Sequence, residues 1–124
     1  MKSENLVQEK SYRFALLIIR LYKYLVAHGE FVLSKQILRS GTSIGANVEE
    51  AIGCYSSKDF LAKFSIVYKE ARETHYWLRL LKDSRYLNDK QAASMLIDCE
   101  QLLRIIGSIQ KTMKSKQNNR NRNP

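Results

Sequence analysis

Residues 60–81 read FLAKFSIVYKEARETHYWLRLL, and the spacing of core-type residues in this stretch decides the fold. The repeated positions alternate at intervals of four and three: Phe60, Phe64, Val67, Ala71, Thr74, Leu78 and Leu81. A helix with this repeat presents one continuous stripe to neighbouring helices. Ser56 and Asp59 have the spacing of a capping box, and the polar run at 82–85 interrupts the repeat. The stretch therefore predicts a long helix that begins at Ser56 or Ser57.

Three further segments show the same helical period. The first covers about residues 6–27, the second about 33–55, and the fourth follows a second capping box, Asn88 with Gln91. The predicted stripes are Phe14, Leu17, Leu21 and Leu25 in the first segment, Ile37, Gly41, Ile44, Val48, Ala51 and Tyr55 in the second, and Ala92, Met95, Cys99, Leu102, Ile106, Ile109 and Met113 in the fourth. Four long helices with short connections predict an all-α, antiparallel up-down-up-down four-helix bundle.

The first two segments carry further information about packing. Apolar residues cover most of the first segment, so we expect it to be buried on two sides, with a second subunit on one of them. In the second segment, Gly41 and Gly45 each cost about 1 kcal/mol of helix propensity relative to Ala. We expect a close approach of a neighbouring helix to compensate for this cost.

Length and composition limit the class of protein. A chain of 124 residues and 14.4 kDa corresponds to one domain, and a hydrophobic share of 44% is too high for a disordered chain. One proline and five glycines are too few for the turns of an all-β fold. Lys and Arg outnumber Asp and Glu by 21 to 12, which gives a net charge of +9 and favours polyanionic partners.

The positive charge is concentrated towards the C-terminus. Residues 111–124 contain five basic residues and no acidic one, and no apolar residue follows Met113. This change in composition predicts a bundle at 1–112 followed by a flexible basic tail at 113–124. We expect such a tail to contact nucleic acid. The alternative is a terminus that only aids solubility.

Other basic residues are distributed along the predicted helices. The candidate nucleic-acid-binding residues are Arg13, Arg20, Lys23, Lys63, Lys69, Arg72, Arg79, Lys111, Lys114 and Lys116. Six tyrosines are candidates for stacking on bases, although most tyrosines of a bundle pack structurally: Tyr12, Tyr22, Tyr24, Tyr68, Tyr76 and Tyr86. The expected partner is RNA or DNA. Because no sequence-reading nucleic-acid motif accompanies the basic residues, we expect binding to depend on electrostatics and shape. Lys69 and Glu73 are spaced for an ion pair within one helix.

The residue pattern does not favour catalysis, a metal or a cofactor. No Glu-x-x-His motif is present, and the two histidines and two cysteines are scattered without ligand spacing. His75 is the one plausible base, and its charged surroundings are typical of a polar helix face.

A patch of Ser43, Asn47 and Glu50 shares one helix face. We interpret it as a structural network with Arg72 or Tyr76, the alternative being a ligand site.

The sequence favours a cytoplasmic protein. The N-terminal residues are polar, and the longest apolar run, at 15–19, is too short to span a bilayer. Cys54 and Cys99 lie in apolar surroundings and form no CxxC pair, which is typical of reduced core thiols. We therefore expect no membrane association.

Residues 31–51, FVLSKQILRSGTSIGANVEEA, resemble the hallmark segment of the bacterial four helix bundle protein family, also called the 23S rRNA intervening-sequence protein family. The resemblance continues at 58–60 and 69–80 and covers nearly all of residues 5–112. It implies an antiparallel four-helix bundle that assembles into a homopentameric ring, and it supplies no catalytic residues. The family name records that some of its genes lie inside insertions of 23S rRNA genes. A similar basic pentamer, the Avd accessory protein of diversity-generating retroelements, binds a reverse transcriptase and nucleic acid.

The net positive charge, the basic tail and the family resemblance together predict a non-enzymatic, oligomeric accessory protein that binds nucleic acid, with RNA favoured. The alternative is a scaffold that binds a protein, for example a reverse transcriptase, and contacts nucleic acid only incidentally.

Overall fold

The computed structural model describes residues 2–122, with side chains described up to residue 120, and contains four helices and no strand in that part. The helices are α1 (Lys2–Ala27), α2 (Leu33–Ile52), α3 (Ser57–Asp83) and α4 (Asp89–Arg122). Each helix packs against the next, and α4 closes on α1 through a smaller contact. The start of α1 meets the end of α2, where the Gln8 amide donates to the Glu49 carboxylate at 3.0 Å. The predicted all-α fold of four helices is confirmed, with the packing of an antiparallel bundle.

The core follows the predicted stripes closely. All seven repeated positions of α3 are buried, as are Ile37, Gly41, Ile44, Val48 and Ala51 of α2. The one polar member of the α3 stripe, Thr74, donates from its hydroxyl to the Glu70 carbonyl at 2.8 Å, and lies 2.9 Å from the Ser40 hydroxyl. Thr74 therefore satisfies its hydroxyl inside the core, where an unpaired polar group would be costly.

The buried stripe of α1 differs from the predicted one. Its buried residues are Val7, Ser11, Phe14, Ile18, Leu21 and Leu25. Ile18 is completely buried, whereas the predicted core residue Leu17 is only half-buried. The spacing from Val7 to Leu25 is regular at four and three, so Ile18 rather than Leu17 continues the stripe.

Helix ends are determined by side-chain caps and glycines. The Asn88 N–H donates to Gln91 Oε1 at 3.0 Å, and the Gln91 N–H donates to Asn88 Oδ1 at 2.8 Å, which confirms the capping box before α4. Ser56 Oγ accepts from the Asp59 N–H at 3.1 Å at the start of α3. At the end of α1, Gly29 has a φ of +85°, a conformation that favours glycine.

The second helix is shorter than predicted. It ends at Ile52, and Tyr55, expected in the stripe, is fully exposed. The reason is local, because Ser56 adopts an extended conformation (φ −119°, ψ 153°) in order to cap α3. The chain must therefore leave the α2 helix before it reaches residue 55.

The glycines of α2 lie where α1 approaches, as expected. A methyl group on Gly41 would lie 2.6 Å from Cγ1 of Ile18, and one on Gly45 would lie 3.3 Å from the Ser11 carbonyl oxygen. Both distances are shorter than ordinary van der Waals contact. The missing side chains therefore allow α1 and α2 to pack closely.

The last helix continues beyond the predicted end of the bundle. α4 passes residue 112 and ends at Arg122, so most of the predicted tail forms its last turns. Residues 123 and 124 lie outside the described residues, and the flexibility of the tail stays a prediction. None of the helices in the described part of the chain is long and apolar enough to cross a membrane.

Candidate nucleic-acid interface

The exposed side of α3 carries a row of basic residues with a tyrosine between them. Lys69, Arg72, Tyr76 and Arg79 are spaced at three, four and three residues, and all four are exposed. We call these four residues the α3 basic stripe. It extends over about 15 Å along the helix, at 1.5 Å per residue. Because the buried stripe of α3 occupies the opposite side of the helix, these side chains point away from the bundle core.

The tyrosine of the α3 basic stripe is held by two neighbours. The Arg79 guanidinium carbon lies 5.8 Å from the centre of the Tyr76 ring, within the range of a cation–π contact. The Trp77 ring meets Tyr76 edge-on, with 5.2 Å between ring centres. Trp77 is in turn fixed by a 2.9 Å hydrogen bond from its indole N–H to the Glu73 carboxylate. The position of the Tyr76 ring is thus supported on the helix surface.

The acidic residues of the segment 69–73 lie on the side of α3 that faces α2, away from the α3 basic stripe. Arg39 of α2 forms ion pairs with Glu73 and, at 3.2 Å, with Glu70. The pair expected between Lys69 and Glu73 is absent from the ion pairs of the described residues, because Glu73 binds Arg39 and Trp77. No ion pair involves Lys69, Arg72 or Arg79 in the part of the chain whose side chains are described.

Two other candidate basic residues are paired with carboxylates. Lys63 contacts Glu50 at 2.9 Å, and Arg13 contacts Glu9 at 2.6 Å on the surface of α1. A neighbouring carboxylate offsets part of the attraction of each cation for phosphate. These two residues are therefore weaker candidates than those of the α3 basic stripe.

The ten candidate residues fall into three groups on the surface. Arg13, Arg20 and Lys23 are exposed on α1, which does not contact α3 within the described residues. Lys111, Lys114 and Lys116 are exposed on the last third of α4. That part of α4 runs beside the start of α3, where the Gln110 amide donates to the Phe64 carbonyl at 3.3 Å. The candidates on the last third of α4 thus lie beside α3, whereas those on α1 lie on the helix diagonally opposite α3.

The polar patch on α2 makes local hydrogen bonds. Ser43 Oγ donates to the Arg39 carbonyl at 2.6 Å, and Asn47 Nδ2 donates to the Ser43 carbonyl at 2.8 Å. Glu50 is exposed and pairs with Lys63. The expected partners of this patch on α3, Arg72 and Tyr76, are replaced by the backbone of α2 and by Lys63. The role of the patch as a structural network stays a prediction.

The titratable groups near α4 show no nucleophile with an activated base. His75 Nε2 lies 3.0 Å from Glu100 Oε2 across the α3–α4 contact. Burial, with further contributions from Glu100 and Asp98, raises the pKa of Cys99 to about 12. A thiol with so high a pKa is protonated at neutral pH and is a poor nucleophile. No cluster of three or more potential metal-ligating His, Cys, Asp or Glu residues is present in the described part of the chain.

Arg39 was missed by the sequence analysis. Its contacts with Glu70 and Glu73 connect α2 to α3 beside the core, a place where charged residues flank apolar stripes in coiled coils. The signal available in the sequence was the pair of glutamates at 70 and 73 on one side of the α3 stripe. Only the relative position of the two helices identifies Arg39 as their partner.

Comparison with known proteins agrees with this architecture. The sequence model of the 23S rRNA-intervening sequence protein family matches residues 3–108, and the chain belongs to this family. A solved structure is also similar, that of a protein of unknown function from the S23 ribosomal protein family of Bacteroides thetaiotaomicron. The two chains are 48% identical, the match covers 88% of this chain and 98% of the other, and the TM-score is 0.86. No curated protein matches the chain.

Proposed function

We propose that this chain is a non-enzymatic accessory protein that binds nucleic acid, with RNA as the favoured ligand, through its α3 basic stripe. The observation that carries the proposal is the grouping of three exposed cations on one face of α3, within about 15 Å along the helix, with no ion pair at any of them among the side chains that the structure describes. Unpaired surface cations attract phosphates and release counterions when they bind them. The net charge of +9 and the family name, which refers to 23S rRNA, point in the same direction.

The binding of an RNA hairpin with a single-stranded loop, measured at increasing salt, tests the proposal. We expect a log–log slope of several units, since each neutralised phosphate contributes about 0.7–0.9. Replacement of the three cations of the α3 basic stripe by glutamine should weaken binding and reduce the slope by about 2–3. A matched control removes three charges from exposed positions on the other helices, Lys2, Lys35 and Lys90.

Both triple variants lower the net charge from +9 to +6. A difference in RNA affinity between them is therefore due to the position of the removed charges and not to the total charge. Equal losses of RNA affinity in the two variants would mean that RNA binds elsewhere on the protein or binds non-specifically. If the unmodified protein binds no RNA even at low salt, the proposal is wrong.

We further propose that the chain assembles into a homopentameric ring in the cytoplasm. The family resemblance supports the ring, and the exposed apolar residues of α1 support a subunit contact on that helix. Tyr12, Leu16 and Ile19 are 64%, 46% and 37% exposed in the single chain. Light scattering should give a mass five times the 14.4 kDa of one chain, and Leu16→Glu should reduce it. A monomeric mass for the unmodified protein would contradict this assembly.

A scaffold that binds a protein partner is the second candidate, and an apolar surface at one end of the bundle favours it. The loop between α1 and α2 exposes Phe31 and Val32, at 58% and 70%. Antiparallel packing places the α3–α4 loop, with the exposed Tyr86, at the same end. Stoichiometric capture of a protein by the nuclease-treated chain, lost in Phe31→Ser/Val32→Ser, would favour the scaffold. Capture that disappears with nuclease treatment would favour nucleic-acid binding.

A further inference from the structure

Tyr76 differs from the other exposed tyrosines in its surroundings. Arg72 precedes it by four residues and Arg79 follows it by three, so that each cation lies about one helical turn away. The Arg79 guanidinium and the Trp77 ring cover part of Tyr76, and 47% of the residue remains exposed. A large aromatic ring is thus presented to solvent between two cations.

The two most exposed tyrosines, Tyr55 and Tyr12, lack this arrangement. Tyr12 lies in a surface cavity of about 450 Å³ lined by Glu9, Arg13 and Glu49, where Arg13 is paired with Glu9 and the carboxylates offset its attraction for a phosphate. Tyr55 is the most exposed tyrosine, and it takes part in no ring or cation–π contact among the described residues. Exposure alone therefore does not identify a stacking residue, and Tyr76 is distinguished from these two tyrosines by its flanking cations and by the support of Trp77.

An aromatic ring between two cations matches the chemistry of one nucleotide in a single strand. A base offers a flat π-face to the ring, and its flanking phosphates offer negative charge to the cations. Arg72 and Arg79 are separated by about 10 Å along the helix, at 1.5 Å per residue, and both side chains are long and exposed. Inside a duplex, away from its two terminal base pairs, the faces of the bases are covered by their neighbours, so a ring on a helix surface meets only phosphates and sugars.

We propose that Tyr76 stacks on an unpaired base while Arg72 and Arg79 bind the adjacent phosphates, so that the α3 basic stripe selects single-stranded over duplex nucleic acid. This inference rests on the proposed nucleic-acid binding and specifies its ligand. Stacking on an aromatic side chain contributes about 5- to 150-fold in affinity per base and tolerates any base. The stripe should accordingly discriminate by strandedness more than by sequence.

The test compares Tyr76→Leu with Tyr76→Phe in the full chain. The probes are a labelled 12-nucleotide oligouridylate and a blunt 12-base-pair RNA duplex, with binding followed by fluorescence anisotropy at one fixed salt concentration. Tyr76→Leu should weaken oligouridylate binding about 5- to 150-fold, while Tyr76→Phe retains it because the ring remains. Duplex binding should change less than about 2-fold in both variants, since no phosphate-binding charge is removed.

Two controls separate a local effect from a general one. Tyr55→Leu removes a more exposed tyrosine outside the stripe and should leave both affinities unchanged. Trp77, the one tryptophan of the chain, lies 5.2 Å from Tyr76 and should change its emission when oligouridylate binds the unmodified protein. Thermal unfolding of each variant, followed by circular dichroism, verifies that the bundle is folded.

The outcomes distinguish this inference from the function on which it rests. If Tyr76→Leu leaves oligouridylate binding unchanged, or weakens the binding of both probes equally, the inferred stacking of Tyr76 on a base is wrong. The proposed binding of nucleic acid is not contradicted by that result. If the unmodified protein binds neither probe, the proposed function fails and the inference fails with it. A selective loss for the single strand supports both.

Discussion

Gly41→Ala tests the close packing of α1 against α2. The added methyl group would lie 2.6 Å from Cγ1 of Ile18 and 2.8 Å from both Cδ1 and Cγ2. Ile18 is completely buried, and rotation about its χ1 angle moves one branch away only by bringing another closer. The two helices must therefore separate slightly, and overpacking of this kind costs about 1–3 kcal/mol.

The same substitution also improves helix propensity, so a control is needed to isolate the packing effect. Alanine is favoured over glycine by about 1 kcal/mol inside a helix. Gly107 of α4 provides the control, because a methyl group there would meet no atom within 4 Å. We expect Gly107→Ala to stabilise the protein by about 1 kcal/mol. Gly41→Ala should be less stable than Gly107→Ala by about 1–3 kcal/mol.

Urea unfolding followed by far-ultraviolet circular dichroism measures both variants at one protein concentration, which keeps any contribution from association constant. In an Ile18→Ala background, the three atoms that meet the new methyl group are absent. There Gly41→Ala should become stabilising, a reversal of sign that only direct contact produces. Equal stability of Gly41→Ala and Gly107→Ala in the unmodified background would refute the close packing.

Three further predictions concern a cap, an ion pair and a thiol. Asn88→Ala should lower the free energy of unfolding by about 1 kcal/mol in urea titrations, because it removes the cap of α4. A double-mutant cycle on the exposed pair Glu50–Lys63 should give a coupling below about 1 kcal/mol. Because burial raises the pKa of Cys99 from 9.0 to about 12, the folded thiol stays protonated while the unfolded thiol ionises. Stability should fall as pH rises above 9.0. Cys99→Ala should reduce this fall, and thiol titration of the folded protein should label Cys54 first.

Most of the fold could be predicted because each helix carries its own signal. The α3 repeat fixes which residues are buried, and the Asn88 capping box fixes where α4 begins, without information from elsewhere in the chain. Both signals lie within a few turns of one helix. Local periodicity and capping are therefore sufficient for the number, order and inner faces of these helices.

The errors occurred where local signals were ambiguous or in competition. Apolar residues cover α1 so widely that the predicted stripe passes through Leu17, whereas the regular spacing of four and three from Val7 to Leu25 passes through Ile18, which packs against Gly41. Tyr55 continues the α2 repeat, but the extended Ser56 that caps α3 ends the helix earlier. In each case two local patterns overlap in one segment, and the structure follows the one that fits the neighbouring helix, with Ile18 against Gly41 of α2 and Ser56 as the cap of α3.

The candidate site was predictable in composition but not in arrangement. Basic residues could be recognised individually, but their pairing depends on which acidic residues face them across the bundle. Lys63 is separated from its partner Glu50 by thirteen positions in sequence, and Arg39 from Glu70 by thirty-one. Such contacts depend on the register between helices, so a count of charges overestimates the number of free cations.

The pairing of Arg39 also has a consequence for the outer surface of α3. In the segment Lys69–Glu73, cations and carboxylates alternate, and a separate helix would carry nearly balanced charge there. In the bundle, Arg39 binds both carboxylates on the side that faces α2. Lys69 and Arg72 point the other way, without a carboxylate partner among the described side chains. Packing of α2 on α3 thus separates the charges of one short segment and leaves the exposed face of α3 more positive than its sequence indicates.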